Sequence, residues 1–273
     1  MIHKRKRGNT ALKPALALTL LISASLLGPN LLRKSPFEVN FTHVSEGPSE
    51  QHWLGTDELG RDILSRILQG GRTSLLIAAT VQVSSTFLGV LVGLVAGYAR
   101  GTVDTMLMAL VDSLYSFPAL VIVIVMVAVM PPGIESIIVA LALVSWPLPA
   151  RVMRTKVVSL RKEEFVVAAK ALGASDARIL FRHILPNSIS PIIALFTQGA
   201  ATTIISESAL GYLGLGLPAS YPTWGGMIAK GRDYLLGSPH IALFPTLALM
   251  IAVISFNRLG EALRVYLDPR RAA

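Results

Sequence analysis

Six long apolar runs dominate this sequence and limit the folds that are open to it. Each run has about 17 to 26 residues, the length with which an α-helix crosses the hydrocarbon core of a bilayer. The runs are 14–32, 74–98, 105–130, 134–150, 189–210 and 241–259. Only 15% of the residues are charged, against about a quarter in a soluble domain, and the mean hydropathy is +0.60. The sequence therefore predicts an all-α, polytopic membrane protein with six transmembrane helices.

The first apolar run follows a basic head, residues 3–7, and has the general look of a secretory signal. It carries no Ala-x-Ala cleavage site, and leucines continue after Gly28 and Pro29, so we expect an uncleaved span. Residues 1–72 would then form a cytoplasmic head, the first transmembrane helix and an extracytoplasmic segment. Residues 73–273 would form a core of five transmembrane helices with a cytoplasmic loop at 151–188.

The distribution of basic residues predicts the orientation. Six spans place both termini on one side of the membrane, and that side carries 18 of the 25 Lys and Arg residues. The positive-inside rule assigns this side to the cytoplasm. Because topology accounts for the net charge of +9, no nucleic-acid partner is needed.

Residues 59–68 combine apolar residues at helical spacing with charged residues between them. This pattern fits either an amphipathic helix on the membrane surface or a solvated loop helix. In the second span the small residues Gly89, Gly93 and Gly97 fall four apart, on one helix face. Since such residues let helix backbones approach closely in lipid, we expect this face to pack against another helix.

The longest polar interruption of the core, residues 163–186, contains two short helical patterns that meet at Gly173. Acids stand in the first turn of the first pattern, where the helix dipole favours them, and Ser175 or Asp176 can cap the second. Pro186 is expected to begin a new segment. The first helix and the bend have little side-chain bulk, which suits a knob seated in a groove of another protein.

Two acids lie within apolar runs and are candidates for a pathway or gate. Asp112 could pair with Arg151 or Arg154, or could reach interfacial water from a helix end. Glu207 could line the outer end of a pathway or be solvated.

No pattern in the sequence supports an enzyme. There is no phosphate-binding Gly-x-x-x-x-Gly-Lys-Ser/Thr loop, no His-Glu-x-x-His, no Gly-x-Ser-x-Gly and no cysteine. The five histidines have no metal-ligand spacing, so we expect no metal site and no cofactor in this chain. Uphill transport would then require either nucleotide hydrolysis by another subunit or an ion gradient, and an ion-coupled secondary transporter remains the alternative.

The polar segment resembles the cytoplasmic "EAA" coupling region of ABC-importer permeases. The family pattern is Glu-Ala-Ala, three residues, Gly, and later Leu-Pro. Five positions match it: Ala168, Ala169, Gly173, Leu185 and Pro186. Val167 stands where the family has Glu and His183 where it has Ile, so Glu163 or Glu164 could supply the acidic group.

Further matches identify one branch of the family. The chain is similar to the C-type permeases of dipeptide, oligopeptide and nickel importers. The matching segments are His52 to Asp57, Gly60 to Asp62, Ser65-Arg66, Leu213 to Gly216, Trp224-Gly225, Phe256-Asn257, Gly260, Leu263-Arg264 and Leu267 to Pro269.

This resemblance implies a type I ABC-importer permease in a bacterial inner membrane, whose residues 163–184 form a coupling helix in a groove of an ATPase. The implied partners are a B-type permease, two ABC ATPases that bind ATP and Mg²⁺, and an extracytoplasmic solute-binding protein, which residues 211–240 would face. The implied coupling residues are Glu163, Glu164, Ala168, Ala169, Gly173, Ala174, Ser175, Asp176, Leu185 and Pro186. The solute is a peptide, nickel or a nickel chelate, and the short segment between the first two spans favours nickel systems.

Overall fold

A computed structural model describes residues 2–32, 34–218 and 220–267, with side chains from Leu12 onward. Within these ranges the chain is helical and has no β-strand. The helices are α1 (Ile2–Leu31), α2 (Ile63–Ala99), α3 (Gly101–Tyr115), α4 (Ala119–Val129), α5 (Ile134–Ser145), α6 (Pro147–Leu160), α7 (Glu164–Ala171), α8 (Asp176–Arg178), α9 (Leu185–Tyr212), α10 (Trp224–Gly231) and α11 (His240–Tyr266). A π-helical turn, Ile179–Ile184, joins α8 to α9.

Five helical stretches of the described chain are long and apolar enough to cross a membrane. They are Leu12–Leu31, Ile63–Ala99, Ile134–Leu160, Asp176–Tyr212 and His240–Tyr266. Counted as one broken span, the pair α3 and α4 raises this number to six, although the two helices are bent by 83°. The predicted all-helical, polytopic fold is confirmed.

The bent pair connects the two ends of the bundle. Helix α3 begins directly after α2 ends, whereas Pro132, beyond α4, lines a cavity with Arg61 at the start of α2. The prediction of one continuous helix over 105–130 is wrong, because the chain breaks between the two helices at Pro118. Proline lacks a backbone N–H and disfavours helical conformation in the residue before it, here Phe117.

The polar pattern of residues 59–68 does not form a separate helix, so both a surface helix and a solvated loop helix are wrong. Its second half is the first turn of α2, which continues for 37 residues. Asp62 caps this helix by accepting a hydrogen bond from the Ser65 N–H at 2.9 Å. Ile63 and Ile67 are buried in a core with Trp224. The expected boundary between residues 72 and 73 therefore falls inside an unbroken helix.

Asp57 organises the segment that precedes α2. One carboxylate oxygen accepts hydrogen bonds from the backbone N–H groups of Leu59 and Arg61, both at 2.9 Å. The other lies 2.7 Å from Arg61 Nε and 3.2 Å from Arg66 Nε. All three charged side chains are buried, and pairing offsets the cost of removing them from water.

The glycines of α2 lie against α6. A Cβ added to Gly93 would lie 2.5 Å from the carbonyl oxygen of Ala150, and one on Gly89 would lie 2.6 Å from that of Trp146. At Gly97 the nearest atom would be the Val157 Cβ, at 2.7 Å. Contact at these distances leaves no room for a side chain at the three glycine positions of α2.

The glycine-rich segment after α9 folds back onto the bundle. Trp224 is fully buried and donates its indole N–H to the carbonyl oxygen of Ile67 at 3.0 Å. A Cβ on Gly225 would lie 2.3 Å from the Ser208 Cα, so α10 rests directly on the backbone of α9. These contacts close the end of the bundle at which α2 begins.

Candidate functional site

Helix α7 forms the first half of the polar segment and ends in a glycine-dependent turn. Gly173 has φ +79°, in the left-handed region that glycine adopts without strain. The Ala174 N–H donates to the Ala169 carbonyl, and the Gly173 N–H donates to the Lys170 carbonyl. This pair of bonds is a Schellman motif, which satisfies the last carbonyls of α7 and reverses the chain.

The second half begins at Ser175, whose hydroxyl accepts a hydrogen bond from the Arg178 N–H. From Asp176 the chain stays helical as far as Tyr212, so the expectation that a new segment begins at Pro186 is wrong. The π-helical turn directly precedes this proline. Since π-helical spacing replaces the usual bond to the fourth preceding residue, proline fits without breaking the helix.

The segment from α7 to the π-helical turn has an inner and an outer face. Val166, Ile179 and Ile184 are fully buried in a core that includes Leu94 of α2 and Val157 of α6. Four large apolar side chains of the segment are exposed instead: Phe165, Val167, Leu172 and Phe181. We call these four residues the outer face. Leu172 is the most exposed of them, at 88%.

The residues expected to couple to an ATPase follow the same division. Three are partly buried, namely Ala169, Ala174 and Leu185. The others are exposed, namely Glu163, Glu164, Ala168, Gly173, Ser175, Asp176 and Pro186. Nothing within the described chain lies within 4 Å of a Cβ built on Gly173.

Two side chains attach this segment to the end of α2. Tyr98 donates its phenol O–H to the Asp176 carboxylate. Arg161, at the end of α6, donates to the Tyr98 carbonyl at 2.6 Å and stacks on the Tyr98 ring at 5.1 Å from the ring centre. The segment is therefore fixed to α2 by polar contacts as well as by its buried inner face.

Asp112 and Glu207 lie in different environments. Asp112 pairs with Arg151 at 2.5 Å, and both side chains are largely exposed. Arg154 instead forms a two-bond pair with Asp104, at 2.5 and 2.6 Å. Glu207 is fully buried and accepts a hydrogen bond from the Ser74 hydroxyl at 3.1 Å, so the solvated alternative is wrong.

Comparison with known proteins decides the family. Residues 89–273 match the family described as binding-protein-dependent transport system inner membrane component. The chain belongs to this family. The permease is 39% identical over 265 residues to the dipeptide transport system permease protein DppC of Alkalihalophilus pseudofirmus, covering 97% of this chain and 87% of that protein. It is 38% identical over 268 residues to the glutathione transport system permease protein GsiD of Pectobacterium atrosepticum, covering 97% and 88%.

Solved structures agree on the fold. An inward-facing structure of the MetNI methionine ABC transporter matches 74% of the permease and 96% of that chain, with a TM-score of 0.61 and 17% identity. A crystal structure of an amino acid ABC transporter matches with a TM-score of 0.57 and 12% identity. The permease is thus an ABC-importer subunit of the inner membrane, related to dipeptide and glutathione permeases. No finding supports the ion-coupled alternative.

Three cavities of more than 200 Å³ in the described part of the permease carry polar side chains. One, of about 480 Å³, lies at the end where α2 begins and includes Arg61, Arg66, Lys230 and Arg232 in its lining. A second, of about 340 Å³, lies at the polar segment and includes Tyr98, Arg161 and Lys170. The smallest of the three, of about 210 Å³, lies beside Gln82 in the middle of α2, and we call it the smaller cavity. No group of three or more His, Cys, Asp or Glu residues that could hold a metal ion occurs in the described part of the permease.

Sequence reasoning missed four residues with structural importance. Tyr98 and Arg161 fasten the polar segment, and Asp104 holds Arg154, but none belongs to a recognisable motif. Gln82 could have been found, because an amide in the middle of an apolar span is itself a signal of a functional position.

Proposed function

We propose that this permease is the C-type subunit of an ATP-driven importer of small peptides, paired with a B-type permease. The observation that carries the proposal is its 39% identity, over nearly the whole chain, to a permease named for dipeptide transport. The chain itself performs no hydrolysis and needs no cofactor. Two ABC ATPases bind ATP and Mg²⁺ and supply the energy.

The polar segment, residues 163–186, is the contact for one ATPase, and we call it the coupling segment. Its outer face offers four exposed apolar side chains at one end of the bundle, and only the reversed turn at Gly173 separates its two helices. Burial of such a patch by a partner subunit removes apolar surface from water. Closure of the ATPase pair then pulls on the segment, and Tyr98 and Arg161 pass that movement to α2.

The coupling segment and both termini lie in the cytoplasm. The basic residues of segment 151–182 support this orientation through the positive-inside rule. The opposite end, with the Asp57 cluster and α10, then faces the solute-binding protein. Asp112 lies towards the cytoplasmic side, and Glu207 towards the outer side, where it is a candidate for a gate rather than for an open path.

The solute is a peptide of a few residues. Two related permeases are named for dipeptide and for glutathione transport, and glutathione is itself a small peptide. Nickel is the competing solute in the same family branch, and the uptake experiment below distinguishes it from peptides.

The test is uptake of labelled dipeptide, labelled glutathione and labelled nickel by cells with and without this chain, each with a chelator as competitor. We expect deletion to reduce uptake of one or both peptides and to leave nickel uptake unchanged. Uptake that is restored by the plasmid-borne chain excludes polar effects on neighbouring genes.

Loss of nickel uptake alone would overturn the peptide assignment, and the chelator response would distinguish free nickel from a chelate. Co-purification adds a second criterion that does not depend on the solute. We expect the tagged chain to retain a second permease and an ABC ATPase in detergent, and recovery of the chain alone would contradict the proposed assembly.

A further inference from the structure

The smaller cavity lies at the middle of the membrane-crossing helices. Gln82 is the twentieth of the 37 residues of α2, so it is about equally far from both ends of that helix. The cavity is formed by α2 to α6 and α9, and its five exposed lining residues mark where it opens at the side of the bundle: Tyr115, Ala119, Leu120, Leu148 and Thr202. Positions at this depth are costly for polar groups and are where transporters hold their solutes.

Gln82 is held in a fixed orientation. Only 5% of the residue is exposed, and its amide N–H donates to the Thr203 hydroxyl at 2.7 Å. A Cβ added to Gly199 would lie 2.2 Å from Gln82 Oε1, so the amide oxygen occupies the space that a side chain at position 199 would fill. Glycine at position 199 thus makes room for the amide at the cavity wall.

The polar lining is entirely uncharged. It consists of one amide and the hydroxyls of Tyr115, Ser145, Thr202, Thr203 and Ser206. None of the described lining residues is Asp, Glu, His, Lys or Arg. A bare metal cation would find neither carboxylate nor imidazole here, whereas amide and hydroxyl groups can both donate to and accept from a peptide bond.

We propose that this cavity is a transient binding site for the main-chain amides of the peptide in transit, with Gln82 as its central hydrogen-bonding group. The proposal rests on the peptide function proposed above. A charged wall would retain solutes of opposite charge and repel the others, but an uncharged wall passes peptides whatever their side chains. Since complete ligand pockets hold about 300–1,000 Å³, a cavity of about 210 Å³ takes part of a peptide, and the partner permease completes the site.

The test uses the complete importer, with its binding protein, in proteoliposomes. Uptake per ATP hydrolysed is measured for dipeptides with neutral, acidic and basic side chains. The variants are Gln82→Leu, which removes the amide, and Gly199→Ala, which displaces it while leaving Gln82 in the chain. Ser84→Ala is the matched control, because this exposed residue of α2 bonds only to its own helix.

We expect uptake per ATP to fall about five- to tenfold in both variants, the effect of one lost hydrogen bond, and equally for the three dipeptides. The Ser84→Ala importer should match wild type. Wild-type coupling in Gly199→Ala and Gln82→Leu would overturn the proposal, as would a loss confined to one charge class. If the wild-type importer moves nickel and no peptide, the proposed peptide function itself fails. This result is seen in wild type, so it is distinct from the two variant results that would overturn the binding site. If the Gln82→Leu importer fails to assemble, the Gly199→Ala variant alone tests the proposal.

Discussion

The phenol of Tyr98, in the last turn of α2, donates a hydrogen bond to the carboxylate of Asp176, the first residue of α8. This bond joins the coupling segment to the helix that carries Gln82 at its midpoint. Because α2 is about 55 Å long and packs against α6 along its glycine face, displacement at its Tyr98 end moves a rigid element. The bond is therefore a direct polar connection between the polar segment and α2.

Replacing Tyr98 with Phe should weaken this connection without disturbing the packing of the ring. The lost hydrogen bond contributes about 1 kcal/mol, so we expect normal amounts of assembled importer and a several-fold lower ratio of peptide uptake to ATP hydrolysis. Tyr266→Phe is the control, since that ring is exposed at the end of α11. Unchanged coupling in Tyr98→Phe would show that the inner face alone transmits the movement.

Gly173→Trp should leave the permease in the membrane but abolish its coupling to the ATPase. No atom of the described chain lies within 4 Å of an added Cβ, so the bulk of the indole would meet the partner subunit rather than this chain. The positive φ at position 173 strains any residue other than glycine by about 1 kcal/mol. Gly173→Ala is therefore the control, because it has the same strain without the bulk of the indole. Membrane content by immunoblot and peptide uptake are the two measurements. Full uptake by the Trp variant would exclude Gly173 from the docking contact.

Gly93→Ala should destabilise the permease through the contact of α2 with α6. The new Cβ would stand 2.5 Å from the Ala150 carbonyl oxygen and 2.6 Å from the Met153 Cβ, so the helices must separate. Overpacking of this kind costs about 1–3 kcal/mol, which should appear as a lower Tm in detergent. Gly133→Ala is matched to it, because a Cβ at that position meets nothing within 4 Å. Equal Tm values for the two variants would contradict the close packing.

Asp62 gives the segment that precedes α2 a defined response to acid. Burial alone would raise the pKa of this carboxyl, but hydrogen bonds from the Ser65 N–H, the His52 ring and the Ser65 hydroxyl, with the Lys34 ammonium 3.6 Å away, hold it below the usual 3.8. The ionised group therefore stabilises the fold above about pH 4, and this contribution is lost as the pH falls through the lowered pKa.

The variant Asp62→Asn isolates this effect, because asparagine also caps a helix but carries no charge. We expect wild type to have the higher Tm from pH 7 to pH 5, and the difference to shrink below about pH 4. A difference that stays constant down to pH 3 would mean that the charge of Asp62 makes no net contribution.

The sequence by itself determined the elements that depend on local composition. Apolar runs of membrane-crossing length gave the helices, and the positive φ that only glycine adopts easily gave the turn at Gly173. The spacing of Gly89, Gly93 and Gly97 marked one helix face, since the side chains of a helix repeat at a known period. Ordered motifs from His52 to Pro269 indicated the family.

Only the tertiary structure decided where these elements end and which polar groups meet. Residues 63–68 became the first part of α2 because Ile63 and Ile67 are buried in a core with Trp224, whose indole N–H donates to the Ile67 carbonyl oxygen. Gln82 became a cavity residue because Thr203 and Gly199, on another helix, bind its amide and leave it space. Hydrogen bonds and close contacts between residues more than a hundred positions apart leave no periodic trace in the sequence, so they appear only when the helices are packed.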